Sequence, residues 1–236
     1  MNKKYKDNTL DLTIESYHNY NPLLGGDTNI VNSIMTLWNN NFTYSPSIVL
    51  DVGACVGIYS LLLSRIINNK DCRIYSFEPV KSSYETMVKN ISINKINNII
   101  PLNYGILDKN TEVTLGLPES SEIKNNITLN YPGRYSIHLK RDSVLAKFKR
   151  LKEFSKEYNI QGGDIIKLDC EGCEELFLKD NKEFIRNSKL LFIERTHEGT
   201  SLNNIVNTLE QCGFKEIWTS RHDFSFINIK KIEEDK

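Results

Sequence analysis

The sequence predicts a doubly wound α/β fold with a mostly parallel sheet and a C-terminal antiparallel hairpin. Short apolar runs rich in branched residues alternate with segments of helical spacing from about residue 47 onward, as in sheets covered by helices on both faces. The last two strand-like runs have no helix between them, which predicts the hairpin. With 236 residues, 39% of them hydrophobic and 10% aromatic, the chain can bury a core as one domain.

Three short apolar runs predict the first half of the sheet. They occupy residues 47–52 (SIVLDV), 73–77 (RIYSF) and 98–104 (NIIPLNY), and continuous runs of this kind suit strands buried on both faces. Pro101 favours an edge strand or a strand start, because proline lacks the N–H that a strand ladder needs.

Helices are predicted after the first and second runs. After the first run, apolar residues recur at helical spacing: Ile58, Leu61, Leu62 and Ile66. After the second, Ser82 and Glu85 have the spacing of a capping box, which satisfies free amides of a first helical turn. The inner face of this second helix is predicted from its larger side chains: Tyr84, Val88 and Ile91.

Residues 111–160 break the alternation and are predicted to be an insertion that caps the substrate site. The pattern predicts a strand over 112–117, a polar loop over 118–130, a turn at Pro132-Gly133 and a helix over 143–158. Five residues would form the inner face of that helix: Leu145, Phe148, Leu151, Phe154 and Tyr158. Residues 1–45 are predicted to be an N-terminal extension of the same single domain, 1–236.

The second half of the chain repeats the alternation. Strands are predicted over 164–169 (DIIKLD) and 190–194 (LLFIE), with a helix starting at Glu174 between them. Thr200 or Ser201 would cap the next helix and Gly213 would end it. The apolar residues on the inner face of this helix are Leu202, Ile205, Val206 and Leu209. The closing hairpin is predicted from the alternation of apolar and polar residues over 214–218 and 224–229. Ligands of such sheets bind beyond the carboxyl ends of the strands, so the residues there are the candidate site.

Charge and targeting signals exclude several classes of protein. Lys+Arg and Asp+Glu both total 30, and a net charge of zero gives no overall attraction to nucleic acid or to an anionic membrane. No apolar run is long enough to cross a bilayer, and the N-terminus lacks the apolar segment of a signal peptide. The sequence therefore predicts a cytoplasmic protein with no membrane partner.

The charges are nevertheless distributed unevenly along the chain. Residues 140–157 carry seven Lys or Arg against three acids, and residues 169–184 carry six acids against two Lys. The positive block, residues 140–157, is where an anionic substrate would be held.

Five cysteines fit a reducing compartment with free thiols. Cys170 and Cys173 form a C-x-x-C, but a structural zinc site needs a second ligand pair, and a thioredoxin-type redox pair would open a helix near the start of a small βαβ unit. We interpret them as two small buried side chains at a strand-to-helix junction.

The first two strand ends carry the residues of a nucleoside site. After the first strand, Gly53 and Gly57 are four residues apart, and such a turn lets backbone amides approach a ligand closely. The pattern is not G-x-G-x-x-G, which disfavours a dinucleotide with its pyrophosphate. Glu78 follows the second strand, about twenty residues past Gly57, where a carboxylate accepts hydrogen bonds from ribose hydroxyls.

The fourth strand ends in a polar cluster. Alternation places Lys167, Asp169 and Glu171 on one side, and a buried lysine requires a partner. The cluster is either a structural ion pair or a group that positions a substrate hydroxyl. Asp169, Glu171 and Glu174 have the chemistry of a hard-cation site, but no metal site is predicted.

The fifth strand ends beside two further candidates. His197 is a possible base because a histidine titrates near neutral pH, and Glu194 is a second candidate for binding or orienting a substrate.

These strings together resemble the FkbM-type methyltransferases that use S-adenosylmethionine. The motifs are D51-V-G-A-C-V-G57, F77-E-P79, K167-L-D-C-E-G-C-E174 and F192-I-E194, with Asn90 and Asn94 in the helix after Glu78. The resemblance covers about residues 45–215 without the insertion. It implies a Rossmann-like seven-stranded sheet, the fold of class I methyltransferases, and methyl transfer to oxygen, commonly a sugar or polyketide hydroxyl.

The resemblance also implies roles for individual residues. Five residues would line the methionine part of the cofactor: Asp51, Gly53, Ala54, Cys55 and Gly57. Glu78, followed by Pro79, would hold the ribose, Tyr104 and Gly105 would flank the adenine, and Asp169 would lie near the methyl group. Asp169, His197 and Lys167 are the catalytic candidates. Cys55 stands where relatives usually have a small polar residue, and Thr196 stands where many have a histidine.

Two other functions compete with methylation of a small molecule or carbohydrate. Lys167, Asp169 and Glu194 partly match the Lys-Asp-Lys-Glu set of RNA ribose 2′-O-methyltransferases, and the positive block would suit phosphate contacts. The second alternative is a non-catalytic partner subunit that binds S-adenosylmethionine. A nicotinamide-dependent dehydrogenase is disfavoured because the third glycine is missing.

Overall fold

A computed structural model describes residues 2–7, 12–17, 26–117, 141–194, 201–219 and 223–235, which contain twelve strands and eight helices. The strands are β1 (Asn2–Asp7), β2 (Leu12–Tyr17), β3 (Ile48–Val52), β4 (Arg73–Phe77), β5 (Ile99–Leu102), β6 (Gly105–Leu107), β7 (Thr111–Leu117), β8 (Arg141–Arg150), β9 (Ile165–Leu168), β10 (Leu190–Glu194), β11 (Phe214–Thr219) and β12 (Asp223–Asn228). The helices are α1 (Gly26–Asn41), α2 (Ile58–Ile66), α3 (Lys81–Ile93), α4 (Leu151–Tyr158), α5 (Glu174–Asp180), α6 (Lys182–Arg186), α7 (Leu202–Gln211) and α8 (Ile229–Glu234).

Seven strands form the central sheet in the order β11-β12-β10-β9-β3-β4-β5. The five strands from β10 to β5 are parallel, and β12 runs antiparallel to both β10 and β11. The predicted seven-stranded, mostly parallel sheet with a C-terminal hairpin is therefore confirmed. The edge strand β5 contains Pro101, as expected, and at the other edge the pairing of β11 with β12 is irregular between Glu216 and Trp218.

Helices cover both faces of this sheet. On one face, α4 to α7 contribute side chains such as Phe154 and Phe177 to a continuous core. On the other, α1 and α2 pack with β2 around Trp38, which is fully buried. The carboxyl ends of the parallel strands are left open between these layers.

The insertion is a second sheet, with β8 between β6 and β7. The predicted helix over 143–158 is wrong in its first half, because β8 is a strand and the helix begins only at Leu151. Residues 144 to 148 alternate, so Ala146 and Phe148 are buried while Leu145, predicted to point inward, is 65% exposed. The local period of two, together with pairing to β7, outweighs the helical spacing. Phe154 is buried in α4, as predicted.

The inner face of α3 also differs from the prediction. The helix begins at Lys81 after Val80 without any side-chain cap, so the capping box is wrong. Val88 is exposed, whereas Met87 and Asn90 are fully buried. Polar residues face inward here because they bind the backbone of β2, a partner that hydrophobic spacing does not reveal.

The remaining elements follow the expectations with small shifts. The strand predicted over 98–104 is β5, which ends at Leu102, two residues earlier than predicted. Ser201 caps α7 by accepting a hydrogen bond from the Asn204 amide, and Gly213 follows the helix with a φ of 93°. The predicted loop over 118–130, the turn at Pro132-Gly133 and Thr200 lie outside the described residues. The N-terminal extension contributes the β1–β2 hairpin and α1, which the sequence did not predict.

Candidate active site

A cleft opens at the carboxyl ends of β3, β4 and β9, and the three-stranded sheet covers one side of it. Its lining combines glycine-turn backbone, carboxylates, thiols and apolar side chains: Val52, Gly53, Cys55, Glu78, Pro79, Val80, Gly105, Ile106, Leu115, Phe148, Asp169, Cys170, Glu171 and Cys173. The rule that ligands of parallel sheets bind beyond the strand ends predicts this location.

The glycine turn after β3 is close-packed and left-handed. Gly53 has a φ of 83°, and a Cβ there would lie 1.8 Å from the carbonyl oxygen of Asp169, so no other residue fits. The amides of Gly53 and Ala54 donate to the carbonyl oxygen of Phe77 at 3.0 and 2.9 Å. The turn is thereby fixed between β4 and β9.

The predicted cofactor residues divide into two groups. Those lining the cleft are Gly53, Cys55, Glu78, Pro79, Gly105 and Asp169. Those placed behind its wall are Asp51, Ala54, Gly57 and Tyr104. Asp51 is fully buried and accepts a hydrogen bond from Ser60 at 2.6 Å. The ring of Tyr104 lies against Phe77 and beneath the Lys149 ammonium.

Glu78 is held rigidly at the end of β4, with only 5% of its surface exposed. One carboxylate oxygen accepts the amide of Cys55 at 2.9 Å and the other accepts that of Val80 at 2.7 Å. Burial raises the pKa of Glu78 to about 7, although these hydrogen bonds and Lys167 oppose the shift. Each oxygen keeps a further lone pair for a ligand donor.

Lys167 is the centre of a buried ionic network. Its side chain is 1% exposed, and its ammonium lies 3.2 Å from both Asp51 and Asp169 and 3.0 Å from the carbonyl oxygen of Gly53. It also lies 4.5 Å above the ring of Tyr59. Burial lowers the pKa of Lys167, but Asp169, Asp51 and Glu194 together raise it above its ordinary value. Of the two partners that the sequence suggests for Lys167, Asp169 or Glu171, the pair with Asp169 is present, and Asp51 is a further partner that the sequence did not indicate.

The N-terminal extension reaches the ionic network of Lys167 through Tyr59. The Tyr59 hydroxyl donates to the carboxylate of Asp27, near the start of α1. Burial raises the pKa of Tyr59, and the carboxylates of Asp27, Asp169 and Glu194 raise it further. Tyr59 therefore stands among three carboxylates. Only its position beside the glycine turn signals this role, and nothing in the local sequence marks Asp27.

Glu194 lies on the same side of the sheet as Lys167. Phe192 is the cross-strand partner of Lys167, and Glu194 is two residues further along β10, opposite Asp223. Burial raises the pKa of Glu194 to about 8, Asp169 adds to the shift and Lys167 opposes it. His197, three residues later, lies outside the described residues.

The C-x-x-C lies at the β9–α5 junction. The thiols of Cys170 and Cys173 are hydrogen-bonded to each other, which with burial raises the pKa of Cys170. Glu174 accepts the amides of Cys170 at 2.9 Å and Gly172 at 3.1 Å, so it stabilises its own turn. Within the described ranges, no three His, Cys, Asp or Glu side chains are arranged to hold a metal ion.

Comparison with known proteins gives a family match. The profile described as the Methyltransferase FkbM domain matches residues 51–216, well over half of the chain. No curated protein matches. None of the helices in the described part of the chain is long and apolar enough to cross a membrane.

Several solved structures are similar in fold. A methyltransferase FkbM from Methylobacillus flagellatus is 17% identical with a TM-score of 0.50, covering 78% of this chain and 43% of its own. M. jannaschii TYW2, solved in complex with AdoMet, is 13% identical with a TM-score of 0.48, covering 97% and 87%. A putative O-methyltransferase from Klebsiella pneumoniae is 9% identical with a TM-score of 0.47, covering 93% and 85%. The chain thus spans less than half the length of the Methylobacillus protein.

Proposed function

The chain belongs to the FkbM methyltransferase family, and from this membership we propose that it transfers a methyl group from S-adenosylmethionine to a hydroxyl of a small molecule or glycan. One observation carries the proposal. A single cleft joins the glycine turn and the buried Glu78 to the Lys167–Asp169 ion pair. A nucleoside-binding half and a polar half with a fixed carboxylate therefore meet at one opening.

The chemistry of the cleft fits S-adenosylmethionine. Glu78, which can accept two further hydrogen bonds, suits the two ribose hydroxyls. The apolar wall from Val80, Ile106 and Phe148 suits a purine ring, and Asp169 and Glu171 place negative charge beside a cationic methionine part. Gly53, Cys55, Pro79 and Gly105 would line the bound cofactor. Asp51, Ala54 and Gly57 would support the turn from behind, with Tyr104 behind the adenine side.

When bound, the cofactor supplies a methyl group that its sulfonium charge already activates, so the protein must mainly align the acceptor and exclude water. Asp169, held by Lys167 at 3.2 Å, accepts a hydrogen bond from the acceptor hydroxyl and orients it. Lys167 is a positioning residue, since three oxygen atoms already surround its ammonium. Glu194, on the same side of the sheet as Lys167, takes the hydroxyl proton in its ionised form, which with a pKa of about 8 predominates only at mildly alkaline pH.

Asp169→Asn and Glu194→Gln test this assignment. We expect Glu194→Gln to bind S-adenosylmethionine within a fewfold of the unchanged protein, because Glu78 and the turn are intact, whereas Asp169→Asn should bind it more weakly because it removes negative charge beside the methionine part. Turnover should fall by about 10²–10⁴-fold when the base is lost. Calorimetry gives the affinity, and transfer of radiolabelled methyl groups to a panel of polyhydroxylated compounds gives the activity.

If S-adenosylmethionine does not bind at millimolar concentration, the proposal is refuted. The alternative of an RNA ribose 2′-O-methyltransferase is then refuted as well. Bound cofactor without transfer to any acceptor would instead favour the partner-subunit alternative. Transfer to RNA with strong salt dependence would support the ribose methyltransferase. Against that alternative, Lys149 of the positive block already pairs with Glu157 at 3.6 Å.

A further inference from the structure

Asn90 on α3 and Asn94, the residue that follows the helix, lie one helical turn apart and hold the backbone of β2. Asn94 accepts the amide of Thr13 at 2.7 Å and donates to the carbonyl oxygen of Thr13 at 2.6 Å. Asn90 does the same to Glu15, at 2.7 and 3.0 Å. Each primary amide reproduces the pair of hydrogen bonds that a neighbouring strand would make, at alternate residues of β2. The N-terminal strand is thus paired to a helix by side chains.

Asn90 makes one more bond that Asn94 lacks. Its side-chain nitrogen also donates to the carbonyl oxygen of Val56 at 2.9 Å, and the residue is 0% exposed. Val56 belongs to the glycine turn, between Cys55 and Gly57. One buried amide therefore ties the N-terminal strand to the turn on which the cofactor would lie.

The strand that Asn90 holds precedes α1, the helix that carries Asp27. Leu12 and Ile14 of β2 are fully buried in the same core as Trp38 of α1, and α1 carries Asp27 to the Tyr59 hydroxyl. Lys89 adds an ion pair to Glu15 at 2.6 Å. The docking of β2 and the placement of Asp27 accordingly depend on the same core, in which β2 packs against α1.

We propose that Asn90 is a positioning residue that couples cofactor binding to docking of β2, residues 12–17. A ligand that fixes the glycine turn fixes the Val56 carbonyl and with it the Asn90 amide, which favours both bonds to Glu15. The coupling is reciprocal by linkage, so a docked strand raises cofactor affinity. This inference rests on the proposed function.

Hydrogen exchange of the full chain tests the coupling directly, with S-adenosylmethionine as the probe. We expect the amides of Thr13 and Glu15 to exchange about tenfold more slowly with saturating cofactor, a typical coupling between sites. If the cofactor binds by calorimetry and exchange at both amides is unchanged, the coupling is overturned while the proposed function stands. If the cofactor does not bind, the proposed function fails and this inference fails with it.

Asn90→Ala and Asn94→Ala are a matched pair, because both lose two bonds to β2 and only Asn90→Ala loses the bond to Val56. Asn90→Ala should weaken cofactor binding about tenfold and abolish the protection at Glu15. Asn94→Ala should speed exchange of β2 without cofactor and weaken cofactor binding less than Asn90→Ala does, because the bond from Asn90 to Val56 remains. Equal losses of affinity in the two variants would overturn the role of Asn90. The exchange experiment on the unchanged chain decides the matter even if Asn90→Ala does not fold.

Discussion

The buried ammonium of Lys167 determines the geometry of the polar half of the site. Removing a charge from water costs several kcal/mol unless close partners compensate. Here Asp51 and Asp169 lie at 3.2 Å and the Gly53 carbonyl oxygen at 3.0 Å. One side chain therefore joins β3, β9 and the glycine turn.

Lys167→Met should lower the free energy of unfolding by roughly 3–5 kcal/mol, because it leaves the buried carboxylate of Asp51 without its cationic partner. Urea denaturation measures the loss. Lys189→Met is the control, since Lys189 pairs with Asp164 near the amino ends of the strands and its side chain is 23% exposed. A similar loss in both variants would contradict a special role for the buried network.

The raised pKa of Glu78 predicts pH-dependent cofactor affinity. The ionised carboxylate accepts hydrogen bonds from ribose better than the protonated one, and the pKa is about 7 without ligand. Affinity for S-adenosylmethionine should therefore increase about tenfold from pH 6 to pH 8. Calorimetry across this range measures it. Glu78→Gln should bind weakly and show no such increase, and a persistent increase in this variant would assign the titration to another group.

The same shift acts with the opposite sign on the stability of the unliganded protein. The pKa of Glu78 is higher in the folded chain than its ordinary value of 4.5. Its contribution to stability is therefore present below pH 4.5 and is lost as the pH rises through about 7.

Among individual residues, the sequence predicts the contacts that follow from the alternation of side chains along one strand. Lys167 lies on β9 and Asp169 directly follows the strand, so alternation limits the predicted partner of Lys167 to Asp169 or Glu171. Asp51 as the second partner requires knowing that β3 lies beside β9. The contact of Tyr59 with Asp27 joins residues far apart in the chain, and no local pattern encodes it.

Among the elements, β8 provides a direct test of the cover over the cleft. The ring of Phe148 packs on Gly105 and lines the opening, whereas Leu145 on the same strand is 65% exposed. Phe148→Ala should weaken S-adenosylmethionine binding at least tenfold by removing part of the apolar wall, and should lower stability by roughly 3–5 kcal/mol. Leu145→Ala should change neither by more than about 0.5 kcal/mol. Calorimetry and urea denaturation give both numbers, and equal effects would contradict the strand assignment.

This strand also explains why the elements were predicted unequally. Residues 145, 148, 151, 154 and 158 have helical spacing, yet 144, 146 and 148 alternate, so two periods overlap in one segment. Pairing with β7 decides between them, and pairing is a tertiary property. At the end of α3, Asn90 and the following Asn94 stand where apolar residues were expected, because they bind β2 rather than a hydrophobic surface.

For the whole molecule, cofactor binding should increase the free energy of unfolding. A ligand at one hundred times its dissociation constant stabilises the native state by about 2.7 kcal/mol, which raises the melting temperature of a chain of this size by roughly 5–10 °C. Thermal denaturation with S-adenosylmethionine measures the shift. NAD at the same concentration should have no effect, and a shift with NAD alone would revive the dehydrogenase hypothesis.

The architecture was predictable because the buried strands are continuous apolar runs separated by helical spacing. The N-terminal extension was not, since β1 pairs only with β2 among the described strands and neither strand belongs to the central sheet. Its position depends on side chains of α3 that are more than seventy residues away in the chain.

The two outer strands of the central sheet bear on the protein's behaviour at high concentration. An open sheet edge offers unpaired donors and acceptors, on which another chain can add a strand and start fibril growth. Pro101 removes a donor from β5, and the irregularity between Glu216 and Trp218 distorts β11 beside exposed charges at Lys215 and Glu216. Both edges are thus poor templates, so the sheet that carries the candidate active site is protected against amyloid-like extension.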